Sequence, residues 1–242
     1  MNDSPRRREP KVITSLTNDR IKAIRALEMR KVRKETGLFV AEGASLLITA
    51  RDHGFVPQTL VYQTGTVDSG INKGLVSWAL NEGAEVLEVS AQVLGKLASK
   101  DNPQTMLGVF RQSYSSPPKA DRIGEDQTWL ALEEVRDPGN LGTIIRTCDA
   151  VGVAGVMLVG NCCDPYSLES IRATMGSIFC VPLARLNTDD FVDHLAKWPG
   201  DVVATDLKAT EDFRAIHYRQ PVLVVMGSEG PGLTDRVSKA AT

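Results

Sequence analysis

No stretch of this 242-residue chain approaches the ~20 consecutive apolar residues that a membrane-crossing helix needs. The amino terminus is charged and lacks an apolar core segment, so no secretory leader is expected. Cysteine is scarce: Cys148, Cys162, Cys163 and Cys180 form no C-x-x-C pair, and only three histidines accompany them. The chain therefore offers neither a zinc-ligand pattern nor a disulfide framework, and it fits a reducing cytoplasm. The four thiols read as inert packing residues, and His53, His194 and His217 stand outside any motif. There is no internal repeat and no coiled-coil heptad. With a formal net charge of -2, nothing global demands a nucleic-acid partner.

The composition is that of an ordinary soluble globular protein, 42% apolar and 24% charged, long enough for one large or two ordinary domains. Charge is unevenly placed. Residues 1–35 carry eleven Lys/Arg against five Asp/Glu, a local charge of about +6 on an otherwise acidic body. A polyanion docking at that end and a merely solvated basic segment both fit this pattern.

Residues 1–17 read as a basic flexible tail. Asn18 can cap a helix running through Ile21, Ile24, Leu27 and Val32, with Arg30 and Arg33 among its cations, and Gly37 stops it. Short strands and helices then alternate to Phe110, giving a compact α/β/α module over 18–112. The Ser/Pro-rich stretch 113–127 reads as a linker. From 128 to 242 the alternation has a longer rhythm, with strands expected at 128–133, 155–159, 178–182, 201–205 and 221–226. Helices are expected at 140–151, 167–175, 189–197 and 234–239. Val202-Val203-Ala204 and Val222-Leu223-Val224-Val225 are near-continuous apolar runs, as befits strands buried on both faces of a parallel sheet.

The chemistry should sit where loops leave the carboxyl ends of such strands. Trp129-Leu130-Ala131-Leu132 leads into a Pro138-Gly139 breaker and then a helix, so backbone N–H groups face outward at its start. Met226-Gly227-Ser228-Glu229-Gly230-Pro231-Gly232 leaves the most apolar strand, and three glycines in six residues let the backbone bend sharply. Thr205 ends a third strand. These glycines match neither a P-loop nor G-x-G-x-x-G. Read alone, each loop could be a plain tight turn. Arg146 could be a surface cation, Glu229 a bond acceptor for loop amides, and Arg172 a partner of Glu169 one helical turn earlier.

Together, Asn140-x-Gly142-x-x-x-Arg146 followed by Gly152, and Gly227-Ser228-Glu229-Gly230-x-Gly232-Leu233, resemble the first two motifs of the SpoU family. These are RNA ribose 2′-O-methyltransferases of the SPOUT class that use S-adenosyl-L-methionine. Asp164–Ser177 with Val181-Pro182 is similar to the family's middle block. Phe39-Val40-Ala41-Glu42-Gly43 and Asp101–Val109 resemble its RNA substrate-binding domain, and the likeness spans about residues 15–242. The resemblance implies a small α/β/α RNA-binding domain followed by a parallel-sheet SPOUT domain of trefoil-knot type. It implies Asn140, Arg146 and Glu229 as catalytic residues, Thr205, Gly227, Ser228 and Gly230 against the cofactor, and Arg172, Arg30 and Arg33 toward RNA. No metal or membrane is implied; a homodimer is. The substrate would be rRNA, 23S foremost, or tRNA. The family's third motif follows its second, whereas this sequence stops at Thr242, so the expectation is an incomplete knot and impaired cofactor binding by these 242 residues. Two other readings compete. One is a non-catalytic RNA-binding protein that keeps the SPOUT sheet without the full cofactor site. The other, with less to carry it, is a phosphate-metabolite enzyme.

Overall fold

The computed structural model describes residues 9–241 apart from 69, 99–103, 207–208 and 210–211. The basic cluster Arg6-Arg7-Arg8 and the Asp101-Asn102-Pro103 segment lie outside the described residues. The chain divides into two units: 1–112 with 166–172, and 113–165 with 173–242.

In the first unit the strands are β1 (Lys11–Ile13), β2 (Leu38–Glu42), β3 (Thr59–Gln63), β4 (Glu85–Val89) and β5 (Met106–Arg111). They lie in the order β1-β4-β3-β5-β2. β1, β4 and β3 run parallel, while β5 is antiparallel to both β3 and β2. The helices are α1 (Asp19–Ala26), α2 (Arg30–Thr36), α3 (Ala44–Asp52), α4 (Gly70–Asn81) and α5 (Ala91–Leu97). Ile21 and Ile24 of α1 share a core with Val93, Leu94 and Leu97 of α5 and with Val61, Leu87 and Leu107 of the sheet. α3 and α4 contact each other and bury Leu47, Ala50, Leu75 and Ala79. The result is an α/β/α layering.

Two expectations are corrected here. The flexible tail was expected to run to residue 17, but Lys11–Ile13 pairs with Leu87–Val89. Buried Ile13 and a 2.8 Å Lys11–Glu85 contact hold that edge strand. The single helix expected from Asn18 to Gly37 is two helices. Arg33 Nη1 donates to the carbonyls of Leu27 and Glu28 at 2.8 Å, satisfying acceptors that the end of α1 leaves free. The chain can therefore turn a corner at Leu27–Met29. Asn18 does cap α1, accepting from the Arg20 N–H at 2.9 Å, and Gly37 closes α2 in the left-handed region at φ 66°.

The second unit carries β6 (Thr128–Glu133), β7 (Val156–Val159), β8 (Leu183–Leu186), β9 (Val202–Ala204) and β10 (Val222–Met226) in the order β8-β7-β6-β10-β9, every neighbouring pair parallel. Its helices are α6 (Pro138–Ala150), α7 (Leu168–Thr174, shared with the first unit's 166–172), α8 (Thr188–Leu195) and α9 (Asp235–Ser238). β6 and β7 are buried on both faces, as a covered parallel sheet requires. Phe191 and Leu195 of α8, with Trp198, pack on Ala131, Met157, Val202, Leu223 and Val225. α6 buries the stripe Leu141, Ile145 and Cys148.

The strand expected at 178–182 is a 3-10 turn over Ser177–Phe179 that packs against α6, and the strand begins at Leu183. An apolar run buried as a short helical turn has the same composition as a strand, so periodicity could not separate them. The stretch 113–127 is not free of the second unit: Ser115 N donates to Leu183 O at 2.8 Å, and a 3-10 turn forms at Ala120–Arg122. Among the described residues no helix is long and apolar enough to cross a membrane.

Candidate active site

β6 lies between β7 and β10, and β10 lies between β6 and β9. The register sets Met226 beside Leu132 and Ala204 beside Val225, so the loops leaving β6, β10 and β9 emerge side by side at one sheet edge. Thr205 N, immediately after β9, donates to Val225 O at 3.0 Å. Both sequence motifs and Thr205 are thus brought together by strand order alone.

The loop after β6 is organised by Asp137. Its Oδ1 accepts from the Asn140 N–H at 2.6 Å and caps α6, with Pro138 at the first helical position, where a missing N–H costs nothing. Asn140 then donates through Nδ2 to Glu229 Oε1, joining the first motif to the second across 89 residues of sequence. Arg146 is on the same helix but exposed. Six residues along an α-helix are about 9 Å of rise and about 120° of rotation from Asn140, so the two side chains leave different faces. Arg146 has no ion-pair partner among the described residues and lines neither cleft described below.

The loop after β10 folds back on itself. Ser228 N donates to Gly232 O at 3.2 Å, and Gly232 N to Ser228 O at 3.0 Å. Gly227 sits where the turn closes. A Cβ there would collide with the Gly232 carbonyl and with Leu233 N, and Gly230 at the apex has φ 92°. Behind the loop, Glu133 at the end of β6 is 1% exposed, and its carboxylate accepts from both the N–H and the hydroxyl of Thr234 at 2.8 Å. Thr234 in turn caps α9. Sequence reading placed Glu133 at the end of a strand but gave it no role, because its partner Thr234 lies 101 residues away.

Two adjoining clefts flank the loop. One, of about 660 Å³, is lined by Thr205, Gly227, Ser228 and Gly230, the four residues expected against a cofactor, together with Asp206 and Leu233. The other, of about 700 Å³, takes Glu229 and Ser228 from the second motif and Glu134, Arg136, Asp137 and Pro138 from the first. Both volumes suit a nucleoside-sized ligand. Glu134 and Arg136 were also missed; neither belongs to the spacing that carries the motif.

The thiols supply no nucleophile here. Burial raises Cys148 and Cys163 to about 11 and raises Cys162 as well; Cys180, also raised to about 11 by burial, lies beside Asp149. All four are therefore protonated at neutral pH. Among the described residues no group of three or more His, Cys, Asp or Glu could hold a metal ion.

The three expected RNA contacts fare differently in the first unit. Arg30 is exposed. Arg172 is half exposed and pairs with the buried Glu42 at 3.2 Å rather than with Glu169. Arg33 is 4% exposed, and the turn between α1 and α2 holds its guanidinium, so it is not a surface cation. Counting Arg33 among the cations of one helix presumed that the helix is unbroken, and the break turns Arg33 inward.

An all-parallel α/β sheet with two glycine-bounded clefts at its carboxyl edge has the architecture of the SPOUT methyltransferases. The chain belongs to the SpoU rRNA methylase family, whose model matches residues 127–242, and an MRM3-like substrate binding domain matches residues 18–108. It is 33% identical to an uncharacterized tRNA/rRNA methyltransferase of Synechocystis, over 95% of this chain and 82% of that one. It is 28% identical to the 23S rRNA (guanosine(2553)-2′-O)-methyltransferase of Bacillus subtilis, over 92% of this chain and 84% of the relative. The crystal structure of an AdoMet-bound rRNA methyltransferase from Sinorhizobium meliloti superposes with a TM-score of 0.86 at 46% identity, covering 96% of this chain and 86% of that one.

Proposed function

We propose that this protein transfers a methyl group from S-adenosyl-L-methionine to a ribose 2′-hydroxyl of ribosomal RNA, with 23S rRNA the foremost target and tRNA the second. The observation that carries the reading is the Asn140–Glu229 hydrogen bond, which closes the two family motifs over adjoining clefts. A non-catalytic RNA-binding role is disfavoured by the same clefts, since Thr205, Gly227, Ser228 and Gly230 already frame a ligand-sized space.

In this reading the loop 227–230 and Thr205 hold the cofactor. The absence of room for a side chain at Gly227 fits that role, because the cleft wall there is backbone and can approach a ligand closely. S-adenosyl-L-methionine supplies a methyl group on a positively charged sulfur. The protein's own task is to align the ribose oxygen with it and to manage the charge that forms on that oxygen. Arg146 fixes the RNA phosphate and stabilises developing alkoxide charge. A guanidinium does not give up a proton near neutral pH, so the hydroxyl proton leaves through phosphate, water or another group rather than to Arg146. Glu229 positions Asn140, and Asn140 orders the loop between them.

We further propose that the protein works in the cytoplasm as a homodimer with its site near the interface. Arg146 is exposed and lines neither cleft of its own chain, which fits an arginine that completes the partner's site. Residues 18–112 would grip the RNA, with Arg30 among the contacts and Arg172 shared with Glu42. Residues 113–127 would connect that module to 128–242, the methyltransferase domain. The test is transfer of labelled methyl to ribosomal RNA by the purified protein, with the modified ribose mapped.

A further inference from the structure

Glu134 has a backbone conformation that a non-glycine residue seldom adopts, φ 56°, one residue beyond the buried end of β6. Several contacts fix it there. Its Oε1 accepts from the Asn161 N–H at 2.8 Å, on the loop after β7. Gly160, at φ 69°, leaves open the space that the same Oε1 fills; a Cβ there would displace it. Its backbone N–H donates to Val159 O at 3.1 Å. The other carboxylate oxygen, Oε2, accepts from Arg136 Nη2. A strained residue held by this many contacts commonly serves a site, and here its free-facing product is the placement of Arg136.

Arg136 is 69% exposed and lines the 700 Å³ cleft beside Glu229. It is the one cation among the described residues lining that cleft, whose other charged residues are Glu134, Asp137 and Glu229. One guanidinium nitrogen is taken by Glu134, and Arg136 makes no other hydrogen bond among the described residues. A cleft with three carboxylates repels a polyanion unless a cation offsets them locally, and a planar guanidinium with unused donors suits a phosphate.

We propose that Arg136 binds a backbone phosphate of the RNA strand entering this cleft, and that Glu134 is the positioning residue that aims it. The role is distinct from that of Arg146, which lines neither cleft. It rests on the reading of the site as an RNA methyltransferase centre, and the two claims are separable by experiment.

The experiment compares the full-length protein with its Arg136→Ala, Arg136→Lys and Glu134→Gln variants. RNA binding is titrated by fluorescence anisotropy with 23S rRNA fragments over a series of KCl concentrations, and methyl transfer is assayed separately. Arg136→Ala should weaken RNA binding about tenfold, the scale of one charge-assisted contact. It should lower the slope of log K against log[salt] by about 0.7 to 1, the loss of one phosphate contact. Binding of S-adenosyl-L-methionine should stay within about twofold, while methyl transfer should fall through a higher KM for RNA. Arg136→Lys should restore the salt slope but not the full affinity. Glu134→Gln should weaken binding while leaving the slope as in the unmodified protein, since the cation remains. An Arg136→Ala variant with unchanged affinity and salt slope would overturn the inference, leaving a surface ion pair of little consequence. Failure of the unmodified protein to transfer methyl would instead overturn the functional reading, and the binding slopes would still decide the role of Arg136.

Discussion

Glu133 and Glu134 are adjacent carboxylates at the end of one strand with opposite surroundings. Glu133 is buried and saturated by Thr234, while Glu134 is turned by its positive φ toward the cleft and Arg136. The division falls where the strand ends: Glu133 is the last residue of β6, and the backbone leaves the extended region at Glu134. Replacing Glu133 with Ala orphans two donors on Thr234 and leaves a small void. Denaturant melts should show a loss of about 2–4 kcal/mol, the range for breaking a buried hydrogen-bonded group. A loss below about 0.5 kcal/mol would mean Thr234 finds other partners.

The residues that sequence reading found and those it missed divide along the same line. Asn140, Gly227 and Glu229 were legible because their spacing is tied to a loop shape. Gly227 in particular has no steric alternative. Glu134 and Arg136 were not, since their placement depends on one dihedral angle and on the loop after β7, and neither leaves a local pattern. Arg33 was misread because a cation in a helical sequence looks the same whether it faces water or caps the preceding helix.

At the scale of elements, the turn after β10 is a backbone ring closed by the Ser228–Gly232 pair, and Gly227 is its hinge point. Gly227→Ala should distort the wall of the smaller cleft without unfolding the sheet, because β10 is anchored by β6 and β9 on both sides. Calorimetric titration should then show S-adenosyl-L-methionine binding weakened at least tenfold, with far-UV circular dichroism unchanged. Unimpaired binding would place the cofactor elsewhere.

Most elements were readable before the structure because β6, β9 and β10 are continuous apolar runs that a two-sided parallel sheet requires. Two were not. Ser177–Phe179 has the composition of a strand but is buried as a 3-10 turn against α6, and Lys11–Ile13 is a strand too short to show alternation. Both outcomes depend on long-range packing, which a local window does not contain.

For the whole molecule, strand order does the assembling. The order β8-β7-β6-β10-β9 sets three loops from distant parts of the sequence at one edge, and only there do Asn140 and Glu229 meet. Arg146 lies outside that meeting. If a twofold dimer supplies it from the partner, an equal mixture of Arg146→Ala and Glu229→Ala chains, refolded together, should recover roughly a quarter of full activity. Half the dimers then carry one intact site of two. No recovery above either variant alone would place Arg146 in its own chain's site.

Methyl transfer itself decides what the protein does. Purified protein, tritiated S-adenosyl-L-methionine and ribosomal RNA from a strain lacking this gene should yield label at one ribose 2′-hydroxyl, mapped by resistance of the adjoining phosphodiester to alkaline cleavage. Arg146→Ala should transfer none while keeping its fold and its cofactor binding. Full transfer by Arg146→Ala, or none by the unmodified protein to either rRNA or tRNA, would contradict the account.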